Sequence, residues 1–226
     1  LPDNVLVFGT LSKTFGASGS VLVCSNKKFY NQIKNFGGPL TFSAQLEPSA
    51  VGAAIASAKI HLSNEIYFLQ DALKSRINYF NHRLANTKLP LIAQNSSPVF
   101  YIGTGLPATG YFLVQQLMQK GFYVNLGLFP AVPVKNTGIR ITISKHNDLE
   151  DIDALADLLV THFGVALGAT HNSLTRIGKA FRINFKDTRP FATNKQKVVL
   201  QEFESIREIE FNYWFKTLDS INMLDY

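Results

Sequence analysis

One short segment of this chain combines residue types that could do covalent chemistry. The sequence GTLSKTFG at residues 9–16 places Lys13 directly after an apolar run, among small residues and glycines. We expect this confined position to bury Lys13, and burial lowers the pKa of a lysine because desolvation disfavours the charged amine. A neutral amine can attack an aldehyde and form a Schiff base. Thr10 and Ser12 add nearby hydroxyl groups, and the flanking glycines let backbone amides approach an anion.

Two other interpretations of this segment stay open on the residues alone. A phosphate-binding P-loop needs a glycine immediately before the lysine, in the frame G-x-x-x-x-G-K-[ST]. Ser12 occupies that position here, so the frame is not met. The other interpretation is a surface lysine in a loop, without chemistry, and the segment by itself does not decide against it.

The elements that must position this segment follow from hydrophobic periodicity. Strands are predicted at residues 4–8, 98–102, 123–125 and 139–144. Helices are predicted at residues 46–62, 64–86, 108–120 and from Asn147 or Asp148 to about Phe163. From residue 98 onward, the order strand, helix, strand, strand, helix is an α+β arrangement. Within the last strand, Arg140, Thr142 and Ser144 lie on one side.

Composition bounds the class of protein. The chain has 226 residues, of which 46% are hydrophobic and 17% charged, so it can bury a sizeable core and is not of a disordered composition. Its single cysteine excludes an internal disulfide framework. No signal peptide is visible, and no apolar run approaches the roughly 18 residues of a membrane span. A cytoplasmic protein without a metal site is therefore expected.

The positive charge is concentrated late in the chain. The formal net charge is +6, and residues 166–200 carry seven basic residues against Asp187, so this segment alone supplies the whole excess. A basic stretch can mark contact with nucleic acid or an anionic membrane. We prefer a solvated linker at residues 164–197, since no nucleic-acid recognition motif is present. The basic residues are Arg176, Lys179, Arg182, Lys186, Arg189, Lys195 and Lys197.

Both ends of the chain suggest a piece of a longer protein. The first strand is apolar and has no partner before it, so we expect the first half of its domain to be missing. A strand at residues 205–210 and a helix start at 211–218 predict that a further domain begins near Val198 and is truncated. This tail resembles the start of an acyltransferase-like domain only weakly.

Six blocks lie in one order along residues 1–163: GTLSKTFG at 9–16, FSAQLEP at 42–48, SPVF at 97–100, GFYVN at 121–125, VPVKNTGIRITISKH at 132–146 and DLEDID at 148–153. In this order they resemble the α-oxoamine synthases, a family of pyridoxal phosphate enzymes. The resemblance implies an α/β fold, the C-terminal part of a fold-type I pyridoxal phosphate transferase. Residues 1–60 would end the large domain, and residues 61–163 would form the α+β small domain.

The resemblance also implies roles for individual residues. Lys13 matches the lysine that holds the cofactor as a Schiff base, and Thr10 matches a threonine that contacts the cofactor. Ser43 lies where the family places a hydroxyl that reaches the cofactor phosphate of the neighbouring subunit in a homodimer. Arg140 matches the arginine that binds the α-carboxylate of the substrate, for which a guanidinium offers two parallel donors.

The activity implied is the condensation of a small amino acid with an acyl-CoA to give an α-amino ketone. Two alternatives remain: an aminotransferase of the same fold, and a non-catalytic partner subunit. Partner subunits of this kind tend to lack the lysine, so Lys13 argues against the second alternative. Nucleic-acid binding and a membrane span are not expected.

Overall fold

The computed structural model describes residues 1–85, 87–94 and 96–183. The chain divides into two compact units, Leu1–Gln70 and Asp71–Tyr226. The division therefore falls after Gln70, whereas the sequence analysis predicts a boundary after residue 60. The predicted truncated domain from residue 198, and the last part of the predicted linker, lie outside the described residues.

The first unit begins with a two-stranded antiparallel ribbon. Strands β1 (Leu6–Thr10) and β2 (Ser20–Cys24) pair so that Leu6 lies opposite Cys24 and Thr10 opposite Ser20. The predicted strand at residues 4–8 is thus real but is shifted by two residues towards Lys13. β2 was not predicted, although its sequence SVLVC has the β-branched and apolar composition of a strand.

Helices complete the first unit. Helix α1 (Lys27–Phe36) begins at Asn26, whose side chain accepts hydrogen bonds from the backbone amides of Lys28 and Phe29. This is the capping arrangement expected of an asparagine at a helix start. The short helix α2 (Gly38–Phe42) and helix α3 (Pro48–His61) follow. Helix α4 (Glu65–Ala85) begins in this unit, and its bounds agree with the prediction at residues 64–86.

Apolar side chains of the first unit are unusually exposed. Among those of β1 and β2, Phe8 is 73% exposed and Val23 49%, and in the helical part Phe42 is 90% exposed. A two-stranded ribbon gives each strand only one hydrogen-bonded neighbour and cannot bury both of its faces by itself. β1 is therefore mostly exposed in the part of the chain that the structure describes.

The second unit is built on a three-stranded antiparallel sheet with the order β3-β5-β4. Its strands are β3 (Val99–Gly105), β4 (Asn125–Gly127) and β5 (Thr137–Thr142), close to the three strands predicted for this region. A 3-10 turn at Val134–Asn136 leads into β5. The central position of β5 gives it neighbours on both edges, so Arg140 lies between Tyr101 and Asn125.

Helices cover one face of this sheet and form the main core. They are the last turns of α4, helix α5 (Pro107–Gln119) and helix α6 (Leu149–Ala169). Phe80 of α4 packs edge-to-face against Phe100 of β3, with ring centroids 4.7 Å apart. Arg83 of α4 pairs with two carboxylates of α6, at 2.6 Å to Asp153 and 2.7 Å to Asp157. An apolar contact thus joins α4 to β3, and ion pairs join α4 to α6.

The predicted linker from residue 164 is wrong for its first part. Helix α6 continues to Ala169, and a further helix, α7 (Leu174–Phe181), follows it. Gly164 and Gly168 weaken the helical pattern, and each glycine costs about 1 kcal/mol relative to alanine. Burial outweighs that cost, because Val165 and Ala166 are almost fully buried in the core.

Hydrogen bonds hold the turn between α6 and α7 in place. The Asn172 side-chain amide donates to the backbone oxygen of Thr104, at 2.8 Å, and to Oγ1 of Thr109, at 2.9 Å. Thr109 and Thr170 share a further hydroxyl hydrogen bond of 2.7 Å. Buried polar groups that are paired in this way fix one geometry. Residues 164–183 therefore belong to the second unit rather than to a linker.

Helix α6 is also long and apolar enough to cross a membrane, with a mean hydropathy of 1.5 over its most apolar window. Length and composition are the only support for such a span. Leu159 and Phe163 of this helix are fully buried against the rest of the unit. We therefore interpret α6 as the core helix of the second unit.

Gly138 of β5 should be among the least replaceable residues of this unit. A Cβ atom at this position would lie 2.5 Å from Cε1 of Tyr101 and 2.6 Å from the backbone oxygen of Ile102. Gly138→Ala should therefore lower the free energy of unfolding by about 1–3 kcal/mol, the usual cost of overpacking. Urea unfolding measures this.

The matched control for that substitution is Gly168→Ala in α6. A Cβ there would meet nothing within 4 Å, and alanine favours the helical state. The control should keep or raise stability by about 0.5–1 kcal/mol. Equal stability of the Gly138→Ala variant and the unchanged protein would contradict this packing.

A buried histidine should make the second unit sensitive to mild acid. His162 of α6 is 5% exposed, and its Nδ1 atom has no hydrogen-bond partner in the described part of the chain. Burial lowers the pKa of His162, and the charge of Lys120 lowers it further. Below a pH of about 6.5, the unfolded chain therefore binds a proton that the folded chain excludes.

We expect the free energy of unfolding to fall as the pH drops below about 6.5, by at most about 1.4 kcal/mol per pH unit from this group. Urea unfolding at pH 7.5, 6.5 and 5.5 tests this. His162→Leu should flatten the dependence, whereas the exposed His146→Leu should not. A slope that survives in His162→Leu would assign the effect to other groups.

Candidate functional site

The loop that carries Lys13 is a closed turn between β1 and β2. The Leu11 amide donates to the Gly19 oxygen, at 2.9 Å, and the Ala17 amide donates to the Leu11 oxygen, also at 2.9 Å. Gly16 and Gly19 have φ values of +60° and +92°, a region that favours glycine. The sequence SKTFGASG therefore folds back on itself, and Lys13 lies near its tip.

A strand, a turn and an antiparallel strand exclude the P-loop interpretation of this segment. A P-loop is followed by a helix whose first amides face the phosphate. Here the chain returns as β2, and the first helix begins only at Lys27. The remaining interpretations are a lysine with a chemical role and a surface lysine.

Lys13 itself is exposed, so its predicted burial is wrong for this chain. In the residues that the structure describes, the open ribbon below the loop provides no apolar layer to cover the lysine stem. Within the described residues, Lys13 makes no salt bridge. Its amine is therefore accessible to a ligand from solvent.

The two hydroxyl groups before Lys13 lie together. Oγ1 of Thr10 and Oγ of Ser12 are 2.7 Å apart, and the Ser12 amide donates to Thr10 Oγ1 at 3.2 Å. Thr10 thus ends β1 and Lys13 lies on the loop that follows it, and the roles predicted for both residues stay predictions. Ser43 lies after α2 in the same unit, where its hydroxyl donates to the backbone oxygen of Pro39.

An aromatic contact anchors the Lys13 loop to α3. The ring of Phe15 stacks on His61 with centroids 4.8 Å apart and an interplanar angle of 11°. His61 Nδ1 in turn lies 2.8 Å from the backbone oxygen of Ser57. The loop therefore has a fixed attachment two residues beyond Lys13, a feature that the sequence analysis did not identify.

Arg140 lies on the face of the second unit's sheet that is opposite α4, α5 and α6. It is exposed and, in the residues that the structure describes, forms no salt bridge with a carboxylate. Its cross-strand neighbours are Tyr101 on β3 and Asn125 on β4, both uncharged. A guanidinium in this setting can accept an anionic ligand without first breaking an ion pair.

Comparison with known proteins gives this arrangement a context. Residues 2–159 match the family model "Aminotransferase class I and II", which is more than half of the chain. The chain belongs to the aminotransferase class I and II family. Pyridoxal phosphate is the cofactor of the proteins that it matches in this family, so the predicted fold-type I transferase fold and the predicted cofactor class are confirmed.

Within this family, the chain is similar in sequence to enzymes of one name. The 8-amino-7-oxononanoate synthase of Marinomonas sp. is 28% identical over 154 residues, which are 68% of this chain and 38% of that protein. The enzyme of the same name from Treponema denticola is 31% identical over 149 residues, which are 66% of this chain and 36% of that protein. The resemblance to α-oxoamine synthases is thereby confirmed. The chain spans less than half the length of these relatives.

Solved structures show the same fold. A serine palmitoyltransferase variant from S. paucimobilis with a bound aldimine of pyridoxal phosphate and myriocin superposes with a TM-score of 0.62 at 23% identity. The match covers 74% of this chain and 40% of that one. The predicted end of a large domain and α+β small domain therefore have their counterpart in a known fold.

The residues present fit the cofactor of the family. Its aldehyde requires an accessible primary amine, and Lys13 provides one on a closed loop without a competing ion pair in the described part of the chain. Its phosphate requires donors, and the Thr10 and Ser12 hydroxyls, three residues and one residue before Lys13, lie 2.7 Å apart. The observed chemistry of the loop is thus compatible with pyridoxal phosphate.

Proposed function

We propose that this protein is part of an α-oxoamine synthase, which joins a small amino acid to an acyl-CoA and releases CoA and an α-amino ketone. The closed loop with an accessible Lys13 beside paired hydroxyls carries this proposal. The names of the matched relatives, 8-amino-7-oxononanoate synthase and serine palmitoyltransferase, support it. Glycine, alanine or serine is the amino acid.

Each proposed site residue has a defined role in binding. Lys13 binds the cofactor covalently through Nζ, and Thr10 donates a hydrogen bond to it. Ser43 contributes a hydroxyl to the phosphate of the cofactor in the neighbouring subunit. Arg140 binds the α-carboxylate of the amino acid with its two parallel donors and so orients the Cα–H bond.

Pyridoxal phosphate, when bound, supplies an electron sink for negative charge at Cα. Lys13 then serves a second purpose, since a released amine at that place can take the Cα proton and later return it. Thr10 and Ser12 stay hydrogen-bonded to each other within the loop, which keeps the backbone around Lys13 in one conformation. The chain thus contributes binding, orientation and proton transfer.

The proposed assembly is a cytoplasmic homodimer with a site shared between subunits. The exposed apolar residues of the first unit support association with further protein surface, because patches of this kind mark interaction sites. Small amino acid and acyl-CoA are the partners in the reaction. Neither nucleic acid nor a membrane span is part of the proposal.

A panel of amino acids and acyl-CoA thioesters, assayed with the intact protein and added pyridoxal phosphate, tests the function. Thiol release that requires both substrates is the expected result. Amino transfer to a 2-oxo acid without any thiol release would instead identify an aminotransferase of the same fold. If neither reaction occurs while the cofactor still binds Lys13, both catalytic proposals are rejected and the non-catalytic alternative is favoured.

A further inference from the structure

The face of the second unit's sheet opposite α4, α5 and α6, which α7 covers in part, has a distinct pattern around Arg140. One row across the strands consists of Tyr101, Arg140 and Asn125. The next row on the same face, two residues along each strand, consists of three glycines, Gly103, Gly138 and Gly127. Directly opposed residues of antiparallel strands have Cβ atoms about 4.5–5.5 Å apart, so the first row is a set of close neighbours. The glycine row is a floor without side chains beside it.

The ring of Tyr101 lies across this glycine floor. A Cβ atom at Gly138 would be 2.5 Å from Tyr101 Cε1, and one at Gly127 would be 2.5 Å from Tyr101 Oη. The ring therefore reaches from β3 over β5 to β4. Its hydroxyl ends in a 2.9 Å hydrogen bond to the backbone oxygen of Asn136. A fixed aromatic surface thus stands next to the row that contains Arg140.

Helix α7 holds this ring from the other side. Phe181 packs edge-to-face on Tyr101 with centroids 6.2 Å apart, and a Cβ atom at Gly103 would be 2.7 Å from Phe181 Cε2. The Asn136 side chain donates to the Ala180 oxygen at 3.0 Å, so one residue fixes both Tyr101 and α7. Phe181 lies beyond residues 2–159, the part that matches the family model.

The chemistry of this face selects one kind of ligand. Among the six strand positions of these two rows, Arg140 is the only charged residue. The side chains around Arg140 in these rows are an amide and an aromatic ring, and the remaining positions are glycines. Because Tyr101 lies directly opposite Arg140 across β3 and β5, its ring is a close neighbour of any carboxylate that Arg140 binds. Space at that point is limited, because the ring is fixed by Asn136 on one side and by Phe181 on the other.

We propose that Tyr101 is a specificity-determining residue that restricts the amino acid bound at Arg140 to a small side chain, and that Phe181 of α7 positions it. This inference rests on the proposed function, since it assigns Arg140 to an α-carboxylate. A pocket wall discriminates between side chains that differ by a methylene group by roughly 10- to 200-fold. Removal of the wall should therefore relax selectivity more than it weakens binding of the smallest substrate.

A calorimetric titration tests whether the Tyr101 ring limits the size of the amino acid. The intact protein is loaded with pyridoxal phosphate and then titrated with glycine or with leucine. The unchanged protein should prefer glycine. Tyr101→Leu keeps the glycine floor covered by an aliphatic group but removes the ring. It should lower the ratio of the leucine dissociation constant to the glycine dissociation constant by about tenfold. Phe181→Ala leaves the ring in place without its brace, and should shift the ratio in the same direction by a smaller factor.

Tyr111→Ala on α5 is the matched control, because this tyrosine is 45% exposed and lies on the helix-covered side of the sheet. It should leave the ratio unchanged. Loss of folding would weaken both amino acids equally, so only a changed ratio supports the wall. If the unchanged protein prefers glycine and both variants keep its ratio, the inference is overturned while the proposed function stands. If the unchanged protein binds neither amino acid, both fail.

Discussion

Replacing Lys13 with alanine should leave the intact protein unable to hold pyridoxal phosphate covalently. Borohydride reduction of the unchanged protein should fix the cofactor on Lys13, and mass spectrometry of the peptide should locate it there. The variant should carry no such label. Synthase activity should fall by at least about 100-fold, because covalent attachment and proton transfer are lost together.

The fold should survive this substitution. Lys13 is exposed and makes no salt bridge in the part of the chain that the structure describes, so its removal should change stability by no more than about 0.5 kcal/mol. Lys28→Ala on α1 is the matched control, an exposed lysine of the same unit that should keep the label at Lys13. A label on any other lysine of the reduced protein would reject the assignment.

The lysine segment illustrates what sequence can predict about a site. Residue types and order were sufficient to single out Lys13, because glycines and hydroxyls beside a lysine are informative without coordinates. The exposure of Lys13 was not predictable, since burial depends on whether a second layer covers β1. The pairing of β1 with β2 and the stacking of Phe15 on His61 likewise depend on tertiary contacts.

The end of the second unit was mispredicted for a related reason. Gly164 and Gly168 interrupt the helical pattern locally, and the basic residues of α7 suggested a solvated linker. Ile177 of α7 is nevertheless fully buried, and Phe181 packs over Gly103. One apolar helical turn between charged residues is a weak sequence signal for a buried helix. The glycines on which α7 packs come together only when β3, β4 and β5 pair in register. The role proposed for Tyr101 was beyond sequence analysis for the same reason.

Arg140→Ala should weaken amino-acid binding about 10- to 100-fold while leaving cofactor binding nearly unchanged. A hydrogen-bonded charge of this kind contributes roughly 1.5–3 kcal/mol, which converts to those factors. Stability should change little, since Arg140 is exposed and pairs with no carboxylate in the described residues. Titration of the loaded protein with glycine, alanine and serine measures the effect.

Arg140→Lys distinguishes a planar clamp from a simple positive charge. Lysine keeps the charge but cannot offer two parallel donors, so it should restore only part of the lost affinity. Full restoration would show that charge alone suffices, and unchanged affinity in Arg140→Ala would reject the role outright. Arg176→Ala on α7 serves as the control, an exposed arginine of the same unit that should leave amino-acid affinity unaltered. Because Tyr101 is intact in all three variants, the preference for glycine over leucine should persist even as the affinity for both declines.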